Sequence, residues 1–160
     1  MFFVDTDILS AFVKVGGIKY LKVLFQDLNI APSVYEELVR AKRAGYPYLD
    51  DILTEVEIIL LSEDEFRDFR NMFENEKDLH EGECQLLALC KSRKGVLITN
   101  DKVVKNHCKE NNTYFLDLED VLRALKLKNI LNYEELKNLI EDIEKKDRTI
   151  IKAKENILKD

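Results

Sequence analysis

Short apolar runs alternate with longer stretches of helical periodicity along this chain. Residues 2–4 are Phe-Phe-Val and end in Asp5, the pattern of a short buried strand. Runs of the same kind stand at 28–30, 96–98 and 114–116, and 56–60 reads as a further strand. Between them lie helical segments at 6–15, 18–25, 33–44, 62–74 and 79–92, and another that opens at Asp101. The punctuation agrees. Thr6 suits an N-cap, Gly16-Gly17 a stop, and Ser62 with Glu65 a capping box; Gly45, Pro47 and Gly95 end helices. Everything after residue 117 reads as helix, at 118–127, 133–146 and 149–159. Strands alternating with helices predict an α/β fold, a three-layer sandwich with a mainly parallel five-stranded sheet flanked by helices and a helical C-terminus from about residue 118. No repeat or linker interrupts the pattern, so residues 1–160 are expected to form one domain.

Composition changes this picture little. Apolar residues make up 46% of the chain, as in a globular protein. The longest apolar runs, such as Ile58-Ile59-Leu60-Leu61, are too short to span a bilayer, and no membrane role is expected. Asp5 and Asp7 interrupt the N-terminus, which does not read as a signal peptide. Cys84, Cys90 and Cys108 follow no zinc spacing; reduced thiols and a cytoplasmic location are the expectation. The net charge of −6 argues against coating nucleic acid by charge alone. It leaves room for a nuclease, whose metal-binding carboxylates are themselves negative.

Four acidic residues do change the picture. In an open α/β sheet, sites form beyond the carboxyl ends of strands, near a topological switch point. Asp5 and the segment Thr99-Asn100-Asp101 occupy such ends, and they meet if the first and fourth strands are neighbours. Glu83 shares its helix face with Leu79, Leu86 and Leu87. Glu37 shares a face with Val34, Leu38 and Ala41, whereas Glu36 sits four residues before Arg40 and suits a surface ion pair. Carboxylates on apolar faces cost free energy unless paired, hydrogen-bonded or bound to a metal. Each alone has an ordinary reading: Asp101 as an N-cap, Glu83 as the edge of a stripe. Together they suggest a site for a divalent cation.

These residues carry a resemblance. VDTDILS at 4–10, PSVYEELV at 32–39, LHEGECQLLALC at 79–90 and LITNDKVV at 97–104 resemble, in order and spacing, the motifs of PIN-domain nucleases. The likeness spans residues 1 to about 117, and the C-terminal helices are similar to those of PIN-like toxins of the VapC type. Two positions depart from the common pattern: Glu83 and Asn100 stand where many relatives carry Asp. The resemblance implies a PIN-like fold and a ribonuclease that hydrolyses phosphodiester bonds of RNA with Mg²⁺ or Mn²⁺. It implies Asp5, Glu37, Glu83 and Asp101 as catalytic metal ligands. Thr6, Asn100 and Lys102 are the expected substrate contacts. It also implies an antitoxin as a partner.

Two other functions fit parts of the sequence. Asp5-Thr6-Asp7 resembles the start of haloacid dehalogenase-type phosphatases, with Asp5 as nucleophile, Asp7 as acid and Thr99 ending a later strand. That reading leaves Glu37 and Glu83 unexplained. A non-catalytic PIN-like module that binds RNA or protein is the other. Finally, Leu125, Leu127, Ile130, Leu131, Leu136, Leu139, Ile140 and Ile143 exceed what a five-stranded core obviously needs. A domain of this size seldom exposes such a patch, which predicts a homodimer or an antitoxin covering it.

Overall fold

The computed structural model describes residues 1–159. Its five strands are β1 (Phe2–Val4), β2 (Leu28–Ile30), β3 (Glu57–Ile58), β4 (Val96–Ile98) and β5 (Tyr114–Leu116). They form one sheet in the order β3-β2-β1-β4-β5, with every pairing parallel. Phe3, Val4, Leu28, Ile30, Leu97 and Ile98 are buried, as parallel strands covered on both faces must be. The chain runs outward from β1 to β3, then returns to place β4 against the other side of β1. That return is the switch point, and the ends of β1 and β4 frame a crevice there.

Six helices punctuate the strands: α1 (Thr6–Val13), α2 (Ile18–Leu24), α3 (Pro32–Arg43), α4 (Leu49–Leu53), α5 (Glu63–Asn75) and α6 (Glu81–Arg93). Helix α7 (Lys102–Glu110) joins β4 to β5, and α8 (Leu118–Leu127), α9 (Tyr133–Asp147) and α10 (Lys154–Lys159) complete the described chain. The fold class is the expected one, with local differences. Helix α4 has no counterpart in the sequence pattern. Strand β3 is shorter than 56–60, because it sits at the edge with one neighbour, and Leu60 beyond it is exposed. The 149–159 segment is helical only from Lys154. Arg148 takes a left-handed conformation and ends α9. The amides of Ile151 and Ala153 then donate to Glu144 and Glu119 side chains, at 3.2 and 3.0 Å, in place of a helical ladder.

The apolar surplus after residue 117 is consumed inside the chain. Leu125, Leu131, Leu136, Leu139, Ile140 and Ile143 are buried in the same core as the sheet. Leu127 alone of the eight is well exposed, at 73%, and Ile130 is half-buried against the core. Helix α9 packs on α1, and α10 on α8 and α9. These positions therefore give no reason of their own for a homodimer: the ten helices of the described residues have more core to fill than five strands suggest. Among the described residues, no helix is long and apolar enough to cross a membrane.

Candidate active site

Asp5 begins the site. It leaves the end of β1 with its backbone N–H still bonded to Ile98 O on β4, at 3.0 Å. Its carboxylate then caps α1: Oδ1 accepts the Thr6 N–H at 2.7 Å. Asp5, and not Thr6, is the cap, which frees the Thr6 hydroxyl for another partner. That partner is Glu37 on α3, whose Oε2 accepts from Thr6 Oγ1 at 2.6 Å. The other oxygen of Asp5 accepts from Thr99 Oγ1 at 3.1 Å. Thr99 is fully buried at the end of β4, and its Oγ1 also accepts the Asp101 N–H at 3.2 Å. One hydroxyl thus ties Asp5 to Asp101. Asp101 caps α7 through Oδ1 and Val104 N, at 2.9 Å, as its sequence position suggested.

Glu83 joins from the first turn of α6. Its Oε2 reaches back to the His80 N–H at 2.8 Å, the carboxylate half of a capping box. Glu37 and Glu83 are both half-buried and Glu36 is exposed, as the face argument required. Gly82 explains how α6 comes so near α3. A Cβ there would stand 3.0 Å from Glu37 Oε1, so a side chain would press on the carboxylate. Lys102, on the first turn of α7, is exposed, and Asn100 is half-buried with its N–H on Asp7.

The sequence pattern assigns Asp7 no part in the nuclease site, yet it belongs to this cluster. Its Oδ1 accepts from Ile8 N at 2.7 Å and its Oδ2 from Asn100 N at 3.0 Å. It therefore braces the turn after β1 to the turn after β4. Thr99 is the second residue of this kind. The available signal was position: each lies within two residues of a carboxylate at a strand end.

The electrostatics follow from burial and crowding. Asp5 is 9% exposed; burial first, then the Asp7 and Glu37 charges, push its carboxyl up to about 7. The Thr6 and Thr99 hydrogen bonds oppose the rise without cancelling it. Asp7 meets solvent at its outer edge, yet the surrounding protein, with Asp101 and Glu83, pushes it up to about 6. Glu83 is raised too, by burial and then by Asp5 and Asp101. These groups sit near enough to repel one another.

Among the described residues, no three His, Cys, Asp or Glu side chains are disposed to hold one metal ion as they stand. The donor set nevertheless fits Mg²⁺ or Mn²⁺ in kind. It offers hard carboxylate oxygens at a mutually repelling cluster. Mg²⁺ is commonly held by one or two carboxylates, with water and substrate phosphate completing its shell.

Comparison with known proteins agrees with this architecture. A chain of VapBC-1 from nontypeable Haemophilus influenzae is similar in fold, with a TM-score of 0.55, 14% identity, and coverage of 72% of this chain and 96% of that one. A chain of a toxin–antitoxin complex from Klebsiella pneumoniae matches over 63% of this chain and 87% of that one, at 21% identity and a TM-score of 0.47. No curated protein sequence matches the chain. A family model described as PIN domain matches residues 1–158, which takes in the C-terminal helices as well as the sheet. That match sets the phosphatase reading aside, and the geometry gives a reason: both oxygens of Asp7 are engaged by backbone N–H groups. The chain belongs to the PIN domain family.

Proposed function

We propose that this protein is a divalent-metal-dependent endoribonuclease, with Asp5, Glu37, Glu83 and Asp101 as its catalytic carboxylates. What supports this reading is the mutual repulsion of these carboxylates beside the β1–β4 switch point, with Thr6 bonded to Glu37 and Thr99 to Asp5. Hydrolysis of a phosphodiester needs an activated water and a stabilised leaving oxygen. Mg²⁺ or Mn²⁺ held by these carboxylates would supply Lewis acidity toward water and phosphoryl oxygen. The chain's own residues do the rest. Thr6 holds Glu37 and Thr99 holds Asp5 through their hydroxyls, which would keep both carboxylates in place for the cation. Asp7 holds the two strand-end turns together. Asn100 and Lys102 follow the end of β4, and their carboxamide and ammonium would suit phosphate and ribose oxygens.

The four carboxylates retained together speak for a catalyst over a non-catalytic binding module. The likeness to a VapBC-1 chain supports the further reading that the protein is a toxin held by an antitoxin. Cleavage of a labelled single-stranded RNA, with Mg²⁺, with Mn²⁺ and with chelator, tests the activity. Cleavage should need the cation and fall by about a hundredfold or more in Asp5→Asn. Unchanged cleavage by Asp5→Asn would show that the site lies elsewhere.

A further inference from the structure

A cavity of about 260 Å³ opens beside the acidic cluster, between α1, α3 and α4. Thr6 lines it, the same residue whose hydroxyl holds Glu37. Its walls continue one helical turn from the catalytic residues: Ser10 lies four residues after Thr6, and Ala41 four after Glu37. Two tyrosines, Tyr46 and Tyr48, line it as well. Gly45 has φ of +100°, which lets the chain turn back after α3, and the Tyr46 N–H then returns to Ala41 O at 3.0 Å. Tyr46 is 58% exposed and Tyr48 is half-buried, so aromatic surface in the lining remains uncovered. Leu49 and Ile52 are the buried apolar part of the α4 lining.

Charge decides what such a cavity suits. Its one cationic residue, Lys14, is bound to Asp147 at 2.6 Å, an ion pair largely shielded from solvent. The cavity thus presents hydroxyls and apolar walls without a free charge. Its lining offers no free charge to pair with a phosphate or with a basic side chain. A flat, neutral ring with polar edges fits: its face on a tyrosine, its edges on Ser10, Thr6 and a phenol. At about 260 Å³ it is smaller than the ~300–1,000 Å³ of drug-sized pockets, a size for one ring system.

We propose that this cavity holds a single nucleobase of a single-stranded RNA, adjoining the phosphodiester placed at the carboxylates, with Tyr46 as its stacking platform. The proposal rests on the ribonuclease reading, and a metal-free binding test separates the two. The probe is a neutral nucleoside, adenosine or uridine, added to the protein in chelator while methyl NMR signals of Leu49 and Ile52 are followed. Saturable shifts at millimolar nucleoside are expected. Ribose 5-phosphate, which lacks the base, should leave them unmoved. Tyr46→Ala alters an exposed side chain and should weaken the shifts about tenfold, while Tyr46→Phe keeps them. Unmoved methyls, equal binding by Tyr46→Ala, or shifts with ribose 5-phosphate would each overturn the proposal. Unmoved methyls would leave the apolar walls to a partner protein's side chain. RNA cleavage by wild type and Asp5→Asn reports on the ribonuclease reading independently.

Discussion

Two regions of this molecule take carboxylates out of water, and they do so in opposite ways. Glu65 on α5 is 3% exposed and is met by the guanidinium of Arg93, with Oε1 to Nε at 2.7 Å and Oε2 to Nη2 at 2.9 Å. Its Oε2 also accepts the Ser62 N–H, completing a capping box. The Arg93 hydrogen bonds hold its carboxyl down, at about 2. Asp5 is buried nearly as well but has only hydroxyl and amide donors, and its charged neighbours are other carboxylates. Its carboxyl rises to about 7. The first arrangement is settled and joins α5 to α6. The second is unfavourable on its own, and under the proposed function a cation would relieve it. A site built to bind a metal differs from a structural ion pair in this one respect, that the compensating charge comes from outside the chain.

The comparison can be broken in several places. The largest effect should come from Glu83→Gln, with RNA cleavage reduced by about a hundredfold or more. Asp7→Asn should cost less, since it keeps an acceptor for one of its two backbone partners. The reverse ranking in a single-turnover assay would move Asp7 into the catalytic set. Thr99→Val removes the hydroxyl shared by Asp5 and Asp101, and should reduce cleavage by about tenfold or somewhat more. It should also raise the Asp5 carboxyl further, visible as a shift in its side-chain NMR titration. Thr99→Ser should restore both.

At the settled pair, Glu65→Gln should cost about 2 kcal/mol in urea unfolding, the loss of a buried ion pair discounted because Arg93 is partly exposed. Cleavage activity per folded molecule should not change. The pH dependence of stability in chelator tests both regions at once. Asp5 and Asp7 hold their protons more tightly folded than unfolded, at about 7 and 6 against an ordinary 3.8. Stability should therefore fall as pH rises from about 4 to about 7. Glu65 has the opposite sign: its contribution is present above about 4.5 and is lost as pH falls toward 2. The Asp5→Asn variant should flatten the first slope and leave the second.

Much of this was legible in the chain. Two apolar runs ending near aspartates marked β1 and β4 as the strands that carry the site, and Glu37 separates from Glu36 by helix face alone. The capping box of Ser62 and Glu65 is a local pattern and forms as read. Other features depend on contacts across distance. That Glu65 would also meet Arg93, 28 residues on, is set by α5 packing on α6. Thr99 and Asp7 act through neighbours on a different strand, which no periodicity reports. The C-terminal leucines read as surplus because α1, α8 and α10 supply their partners only once the chain is folded.

The central claim is that the acidic cluster is held in a repelling state that a divalent cation relieves. The direct measurement is the thermal midpoint of the wild type and of Asp5→Asn at pH 8, in chelator and across a Mg²⁺ or Mn²⁺ titration. In chelator, Asp5→Asn should melt about 3 °C or more above the wild type, because it removes a buried charge from the cluster. With cation, the wild type should rise steadily with concentration, as ligand linkage requires, and Asp5→Asn should rise far less. A wild-type midpoint unmoved by millimolar cation, or an equal rise in both proteins, would contradict the account.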